Sequence, residues 1–239
     1  MKIPPYAITP PSCGTIPQNA SRRARLMLRM SHDVIDCLAP WATCLQYPPS
    51  REIIAQGDDA TFCYVITSGS ARMVCFLEDG RRQVLAFLSP GDLVGWEAVG
   101  WHEVGAEAIT AVRALRLVSA DLDALAEREP VVGRWLRMVS ALKLRASSEH
   151  LAALGCLSAR ERIAHFLLAM YKRTGTLANA EIVLPMVRRD IADYLGLTTE
   201  TICRCLTKYE RDGVLGLKDG RIAILDREAL ECAGAGLSL

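Results

Sequence analysis

Hydrophobic and polar positions follow two different periods along this chain, and the change of period divides it. Between about Tyr47 and Ser119 the apolar residues come in short runs, FCYVIT, ARMVCFL and RQVLAFL. They are separated by Gly57-Asp58, Ser68-Gly69, Glu78-Asp79-Gly80 and Pro90-Gly91-Asp92. Short runs rich in β-branched and aromatic residues, punctuated by regular turn signals, predict an antiparallel barrel or jelly roll. From Ser119 the period becomes helical. Ser119 is placed to cap SADLDALAERE, Pro130 interrupts that helix, and a long helix is predicted from Val131 to about Cys156. Along it Ser140, Leu144, Ser147, Leu151 and Leu154 recur at alternating four- and three-residue steps, the seam of a coiled coil. Trp135, Leu136 and Val139 form a second stripe able to pack on the barrel. Two stripes imply two packing surfaces, one of them for a second copy of the chain. A single buried amphipathic helix with no partner is the other reading, and the serines in the seam imply a weak dimer.

The most informative stretch is VRRDIADYLGLTTETICRCLTKYER, residues 187 to 211. Ile191, Ala192 and Leu195 share one helical face, Gly196 turns the chain, and Thr198 is placed to cap a second helix with Ile202, Cys205 and Leu206 inward. Val187 stands at the start of the first helix and offers it no side-chain cap. Glu200, Cys203 and Arg204, at i, i+3 and i+4, share the outward face of the second helix, flanked by Thr198, Thr199 and Lys208. The pattern is a helix-turn-helix whose second helix is suited to a DNA major groove, although a two-helix hairpin with a solvated charged face has the same periodicity. Upstream, Ser158-x-x-Glu161 is a capping box for a helix carrying Ile163, Phe166, Leu167 and Met170, and EIVLPM is a short strand. Downstream, VLGLKDGRIAIL predicts a hairpin around Asp219-Gly220, a β-wing. The boundaries drawn are a flexible proline-rich tail at 1–22, the β-domain at 23–118, the long-helix region at 119–156 and a winged helix-turn-helix at 157–239, with a basic helix expected over 21–38.

Composition adds constraints. A formal net charge of +1 over 239 residues supplies no bulk attraction to nucleic acid, so DNA contact has to come from local charge. No run approaches a membrane span or a signal peptide, so a soluble cytoplasmic protein is expected. The nine cysteines include no CxxC, and Cys203 and Cys205 diverge by about 200° on a helix, so most are expected to be small buried hydrophobes in a reducing compartment. There is no nucleophile–base pair, phosphate loop or metal-ligand spacing, so no enzyme is expected.

With those residues in hand, the chain resembles the Crp–Fnr superfamily of bacterial transcription regulators over about residues 23 to 227. The resemblance rests on PGDLVGW (90–96), LSARERIAHFLL (157–168) and LPMVRRDIADYLGLTTETICR (184–204). It implies an α+β fold: an antiparallel β-roll of cyclic-nucleotide-binding type, a long dimerisation helix, and a C-terminal winged helix-turn-helix. Glu-x-x-Cys-Arg at 200–204 is similar to the Glu-x-x-Ser-Arg of the Fnr/FixK branch, FixK-like proteins being nearest, which reads a TTGAT half-site within a palindrome. By that resemblance Glu200 accepts from a cytosine amine and Arg204 donates to guanine. Arg188 matches a family arginine, and with Arg189 lies near the phosphates. The resemblance also implies a homodimer and contact with RNA polymerase through the turn holding Glu78 and Asp79, which is equally well read as an exposed charged hairpin tip.

The family's cofactors are not expected here. Its cyclic-AMP binders use a Gly-Glu pair and an Arg-Ser run. In this chain Gly95 is followed by Trp96, with Glu97 one place late, and GAEAITA has no arginine. Cys13, Cys37 and Cys44 are too scattered for an iron–sulfur cluster, and Arg116 stands where a fourth cysteine ligand would be. His32, His102, His150 and His165 form no recognisable haem site. The alternative function is an effector-dependent sensor holding a cyclic nucleotide, haem or such a cluster. Cys203, outward beside Arg204, is a candidate redox switch, since a sulfinic or sulfonic acid there would repel phosphates; it also reads as a small groove residue in place of serine.

Overall fold

The computed structural model describes residues 32–174, 181–218 and 221–234. Helix α1 (His32–Leu38) and a 3-10 turn precede eight strands: β1 (Thr43–Tyr47), β2 (Glu52–Ile54), β3 (Phe62–Ser68), β4 (Ala71–Phe76), β5 (Arg82–Leu88), β6 (Leu93–Val94), β7 (Gly105–Ala108) and β8 (Val112–Val118). They pair antiparallel in two four-stranded sheets, β1-β8-β3-β6 and β2-β7-β4-β5, a β-roll. The three apolar runs are β3, β4 and β5, and their inward residues, among them Ile66, Ala71 and Leu88, meet Ile54, Val94 and Ala106 between the sheets.

Helix α2 (Ser119–Arg128) leads into α3 (Pro130–Cys156), the long helix. Trp135 and Leu136 are buried against β-roll residues Val65, Leu93 and Leu117, with Val139 beside them, so the second stripe packs where the periodicity places it. Most of the first stripe has no cover among the described residues: Leu144 is 71% exposed and Leu151 73%. Ser140 and Ser147 are exposed as well, and Leu154 is half-buried.

The C-terminal unit is α4 (Ala159–Thr174), β9 (Glu181–Val183), α5 (Arg188–Leu195), α6 (Thr199–Arg211), β10 (Leu215–Lys218), β11 (Arg221–Ile224) and α7 (Arg227–Gly234). The sheet β10-β11-β9 makes the wing, with Lys218 paired opposite Arg221. Ser158 and Glu161 form the reciprocal cap, Ser158 N donating to Glu161 at 2.7 Å and Glu161 N to the Ser158 hydroxyl at 3.5 Å.

Two expectations need correction. Ser119 does not cap α2: Val118 occupies the cap position without a side-chain bond, and the Ser119 hydroxyl instead donates to Ala60 O at 3.1 Å, tying the helix start to the β-roll. The cysteines are not mostly buried. Among the described ones only Cys63 is; Cys44, Cys156, Cys203 and Cys232 are exposed, because each falls on the outward phase of its element. The tail, most of the basic 21–38 helix, Cys13 and the Asp219-Gly220 turn lie outside the described residues.

Candidate nucleic-acid interface

The helix-turn-helix is built from its corner outward. Gly196 ends α5 in the left-handed conformation at φ 62°, and Leu197 N returns to Ala192 O at 3.0 Å, so the chain reverses within two residues. Thr198 then caps α6, its hydroxyl accepting from Thr201 N at 3.1 Å. At the other end of α5, Val187 makes no side-chain cap. Ile191, Ala192, Leu195, Ile202 and Leu206 are buried together, with Cys205 packed against them.

With that face consumed by the core, the opposite face of α6 is left to solvent. Thr198, Thr199, Glu200, Cys203, Arg204 and Lys208 are all exposed, Arg189 is exposed at the start of α5, and Arg188 beside it is half-buried. Glu200 and Arg204 approach each other at 3.9 Å with side chains 86% and 71% exposed. Such an exposed pair is worth well under about 1 kcal/mol, so it leaves both side chains available to base edges.

One core residue of α6 carries no sequence signal. Tyr209 is wholly buried, its hydroxyl donates to Arg160 O at 3.0 Å, and the Arg160 guanidinium lies 4.6 Å from its ring. Arg162 gathers three carbonyls, Leu154 at the end of α3, Leu157 in the linker and Leu195 at the end of α5, at 2.8 to 3.1 Å. The helix-turn-helix is thereby tied to the end of the long helix.

A second set of ties runs to the β-roll. Arg72 on β4 donates to Asp190 at 2.7 Å and to Glu107 on β7 at 2.7 Å. Arg82 on β5 donates to Asp190 at 2.8 Å and to Asp193 at 3.0 Å, and Gln83 donates to the Asp193 carbonyl. Asp190 and Asp193 lie on α5, and the Asp190 side chain is only 2% exposed. Burial works against the charge on Arg82, yet its bonds to Asp193 and Asp190 outweigh that and hold its pKa above the ordinary arginine value. Beside this network Phe87 meets Tyr194 at 5.2 Å and Phe166 at 6.0 Å, and Tyr194 stacks flat on His150 of α3 at 3.9 Å. Burial pushes the Tyr194 phenol up to about 12. These residues were missed in the sequence because pairing between β4–β5 and α5 leaves no local pattern.

The turn holding Glu78 and Asp79 is exposed, closed by Leu77 N to Arg81 O at 2.9 Å. Asp79 is paired with Arg81 at 2.7 Å, so Glu78 carries most of the negative charge there.

A cleft of about 550 Å³ lies between β6 and α3, lined by Trp96, Glu97, Asp123, Ser140 and Lys143. Glu97 accepts from Glu103 N at 2.9 Å and Asp123 accepts from the Trp96 indole at 2.9 Å. Among the described residues Lys143 is the one cation lining it, its pKa lowered by burial, and Glu107 on β7 is turned to Arg72. Two carboxylates and no arginine do not fit a cyclic phosphate. Among the described residues no group of three or more His, Cys, Asp or Glu is placed to hold a metal ion.

A β-roll joined by a long helix to a winged helix-turn-helix defines a class, that of transcription regulators with a fused sensor-type domain. Residues 44–129 match the model of the cyclic nucleotide-binding domain and residues 161–233 that of the Crp-like helix-turn-helix domain. The nitrogen fixation regulation protein FixK of Azorhizobium caulinodans is 39% identical over 198 residues, 81% of this chain and 79% of that protein. FixK of Rhizobium meliloti is 40% identical, over 77% of this chain and 83% of that one. The structure of FixK2 from Bradyrhizobium japonicum superposes with a TM-score of 0.77 at 36% identity, covering 82% of this chain and 99% of that chain. The chain belongs to the Crp–Fnr superfamily, in its FixK-like branch, and is a regulator of that family. Its named relatives are regulators rather than enzymes, and among the described residues no helix is long and apolar enough to cross a membrane.

Proposed function

We propose that the protein is a homodimeric transcription activator that reads a TTGAT-like palindrome in double-stranded DNA, one α6 per half-site. The observation that carries this reading is the exposed row Glu200, Cys203 and Arg204 on a helix whose opposite face is packed into the core through Ile202, Leu206 and Tyr209. A carboxylate and a guanidinium one turn apart suit a cytosine amine and a guanine edge. Arg188, Arg189 and Lys208 flank that row and take the phosphates, and Thr198 and Thr199 sit at the helix start where backbone amides favour an anion. Support for the dimer comes from Leu144 and Leu151, two large apolar side chains in the stripe Ser140–Leu144–Ser147–Leu151–Leu154, exposed on the isolated chain. Glu78 and Asp79 present the surface for RNA polymerase, at the tip of the β4–β5 hairpin.

The activity is redox-sensitive through Cys203. Its thiol stands on the reading face, and oxidation to a sulfinic or sulfonic acid brings negative charge against phosphates without any change of fold. Cys205, packed on the core, stays inert. Selection of bound DNA from a random pool, with and without reductant and after peroxide, tests the whole reading. Recovery of a two-fold TTGAT-like sequence, lost after peroxide in wild type and in Cys205→Ser but retained in Cys203→Ser, is the expected result. A pool with no two-fold enrichment refutes the DNA-reading function. Equal peroxide loss in Cys203→Ser refutes the redox switch alone.

A further inference from the structure

Wherever the two recognition helices of a dimer sit, reading a palindrome requires that they be held at one separation and one rotation about the two-fold axis. In this chain α6 is not a free unit on a linker. Its partner helix α5 is gripped on two sides. Arg162 binds its last residue to the end of α3, and Arg72 and Arg82 bind Asp190 and Asp193 from the β-roll. The second grip has the form that fixes rotation. Asp190 receives one guanidinium on each oxygen, Arg72 on Oδ2 and Arg82 on Oδ1, so its carboxylate is held from two strands at once. Arg72 is itself held by Glu107 through two N–H groups on a third strand. Planar guanidinium–carboxylate contacts are directional, whereas the neighbouring Phe87–Tyr194–Phe166 contacts tolerate sliding. While this grip is made, Glu200, Cys203 and Arg204 remain exposed, so it does not cover the reading face.

We infer that Arg82 and Arg72 of the β-roll are positioning residues for DNA reading: with Asp190 and Asp193 they form a brace that sets the spacing and phase at which the dimer accepts its two half-sites. The inference rests on the dimeric, palindrome-reading function proposed above. It assigns the β-roll a part in operator choice that needs no bound effector. No side chain of the brace touches a base; each acts through the orientation of α5, which carries α6 at the Gly196 corner.

The test separates spacing from base reading. Adding or removing one base pair between half-sites rotates one of them by roughly 34° and moves it by about 3.4 Å, which a rigid dimer cannot follow. Affinity is measured for the selected palindrome, for versions with one base pair inserted or deleted, and for a single half-site. Wild type is compared with Arg82→Gln, Asp193→Asn and the double variant, with thermal unfolding of each protein recorded. If the held orientation falls to about a tenth of the population, affinity for the palindrome falls about tenfold in either single variant. The penalty for altered spacing should shrink in step, and the half-site affinity should stay within about twofold of wild type, because the α6 face is untouched. The double variant should add little to Arg82→Gln, since that substitution already breaks the Arg82–Asp193 pair together with the Arg82–Asp190 one. Arg82→Gln and Asp193→Asn proteins that keep the wild-type spacing penalty overturn the brace. So does a loss on the half-site as large as the loss on the palindrome, which marks general damage to the domain. A wild type that binds the half-site and palindrome equally, at any spacing, refutes the palindrome reading itself and the brace with it.

Discussion

Replacing Leu144 and Leu151 together by alanine should separate the dimer without harming the chain. Both side chains lie on the uncovered stripe of α3, 71% and 73% exposed, so neither supports the monomer's own core. Fully burying a leucine contributes about 1.5–3 kcal/mol, and roughly seven-tenths of that remains to be gained when these two meet a partner, or about 1–2 kcal/mol each. A two-fold interface contains four such leucines, so the double variant removes about 4–8 kcal/mol of association free energy. That corresponds to a rise of about three to six orders of magnitude in the dimer dissociation constant. Sedimentation equilibrium across a dilution series measures it directly. Leu225→Ala is the control, since Leu225 is also largely exposed at 64% but lies by the wing, away from the stripe. A dissociation constant that rises less than about tenfold in the double variant, or equally in the control, would place the dimer contact elsewhere. Thermal unfolding of the isolated monomer should be unchanged. Ser147→Leu should move the dimer constant in the opposite direction, because a serine at a seam position contributes little apolar area.

Arg204→Ala should cost about 1–3 kcal/mol at one base position of each half-site and relax the preference there; an unchanged selected sequence would remove Arg204 from base reading. Lys208→Ala should weaken all DNA sequences alike and flatten the dependence of affinity on salt, as loss of a phosphate contact does. Charge reversal at Glu78 and Asp79 should lower transcription in a reconstituted system with DNA affinity intact, most of the effect coming from Glu78 because Arg81 already pairs Asp79. His150 has its pKa lowered below 6.5, first by burial, so its contribution to stability is present above that pH and is lost as pH falls through the folded value. The melting temperature should therefore drop on acidification below about pH 6.5, and less steeply in His150→Gln; His165, also lowered by burial, keeps part of the slope.

What the sequence made legible follows from the range of each signal. The Gly196 corner, the Thr198 cap and the inward Ile202 and Leu206 are set by residues within about two helical turns of one another, so a linear pattern contains them. The same holds for β3, β4 and β5, whose strand-length runs are each bounded by their own turns. The uncovered stripe on α3 was legible because a heptad repeats within one helix. Tyr209 was not, since its hydroxyl partner lies on α4, and nothing around LTKYER marks it as wholly buried. Ser119 misled for a related reason: it has the chemistry of a cap, but a carbonyl of the loop before β3 competes for its hydroxyl and wins. The exposed cysteines show the limit of composition, because frequent burial of a residue type says nothing of the phase on which a given one falls.

The charged contacts between the β-roll and α5 are the least legible and the most consequential, and physics explains why they are ionic. An apolar patch alone would join the two units: Phe87, Phe166 and Tyr194 already do so. Adhesion of that kind is nearly indifferent to a rotation of α5 by a few degrees, since dispersion and area burial have no preferred direction. Placing Asp190 almost out of water is costly unless both its oxygens are satisfied, and here each receives its own arginine from a different strand. A small rotation of α5 would break one of those bonds while leaving the charge buried, so the energy rises steeply on either side of the observed orientation. A buried ion pair adds little net stability over apolar packing, yet breaking one of its bonds is costly, and that defines the orientation. For a helix whose reading face must meet a groove at a fixed phase, a defined angle is the property that matters.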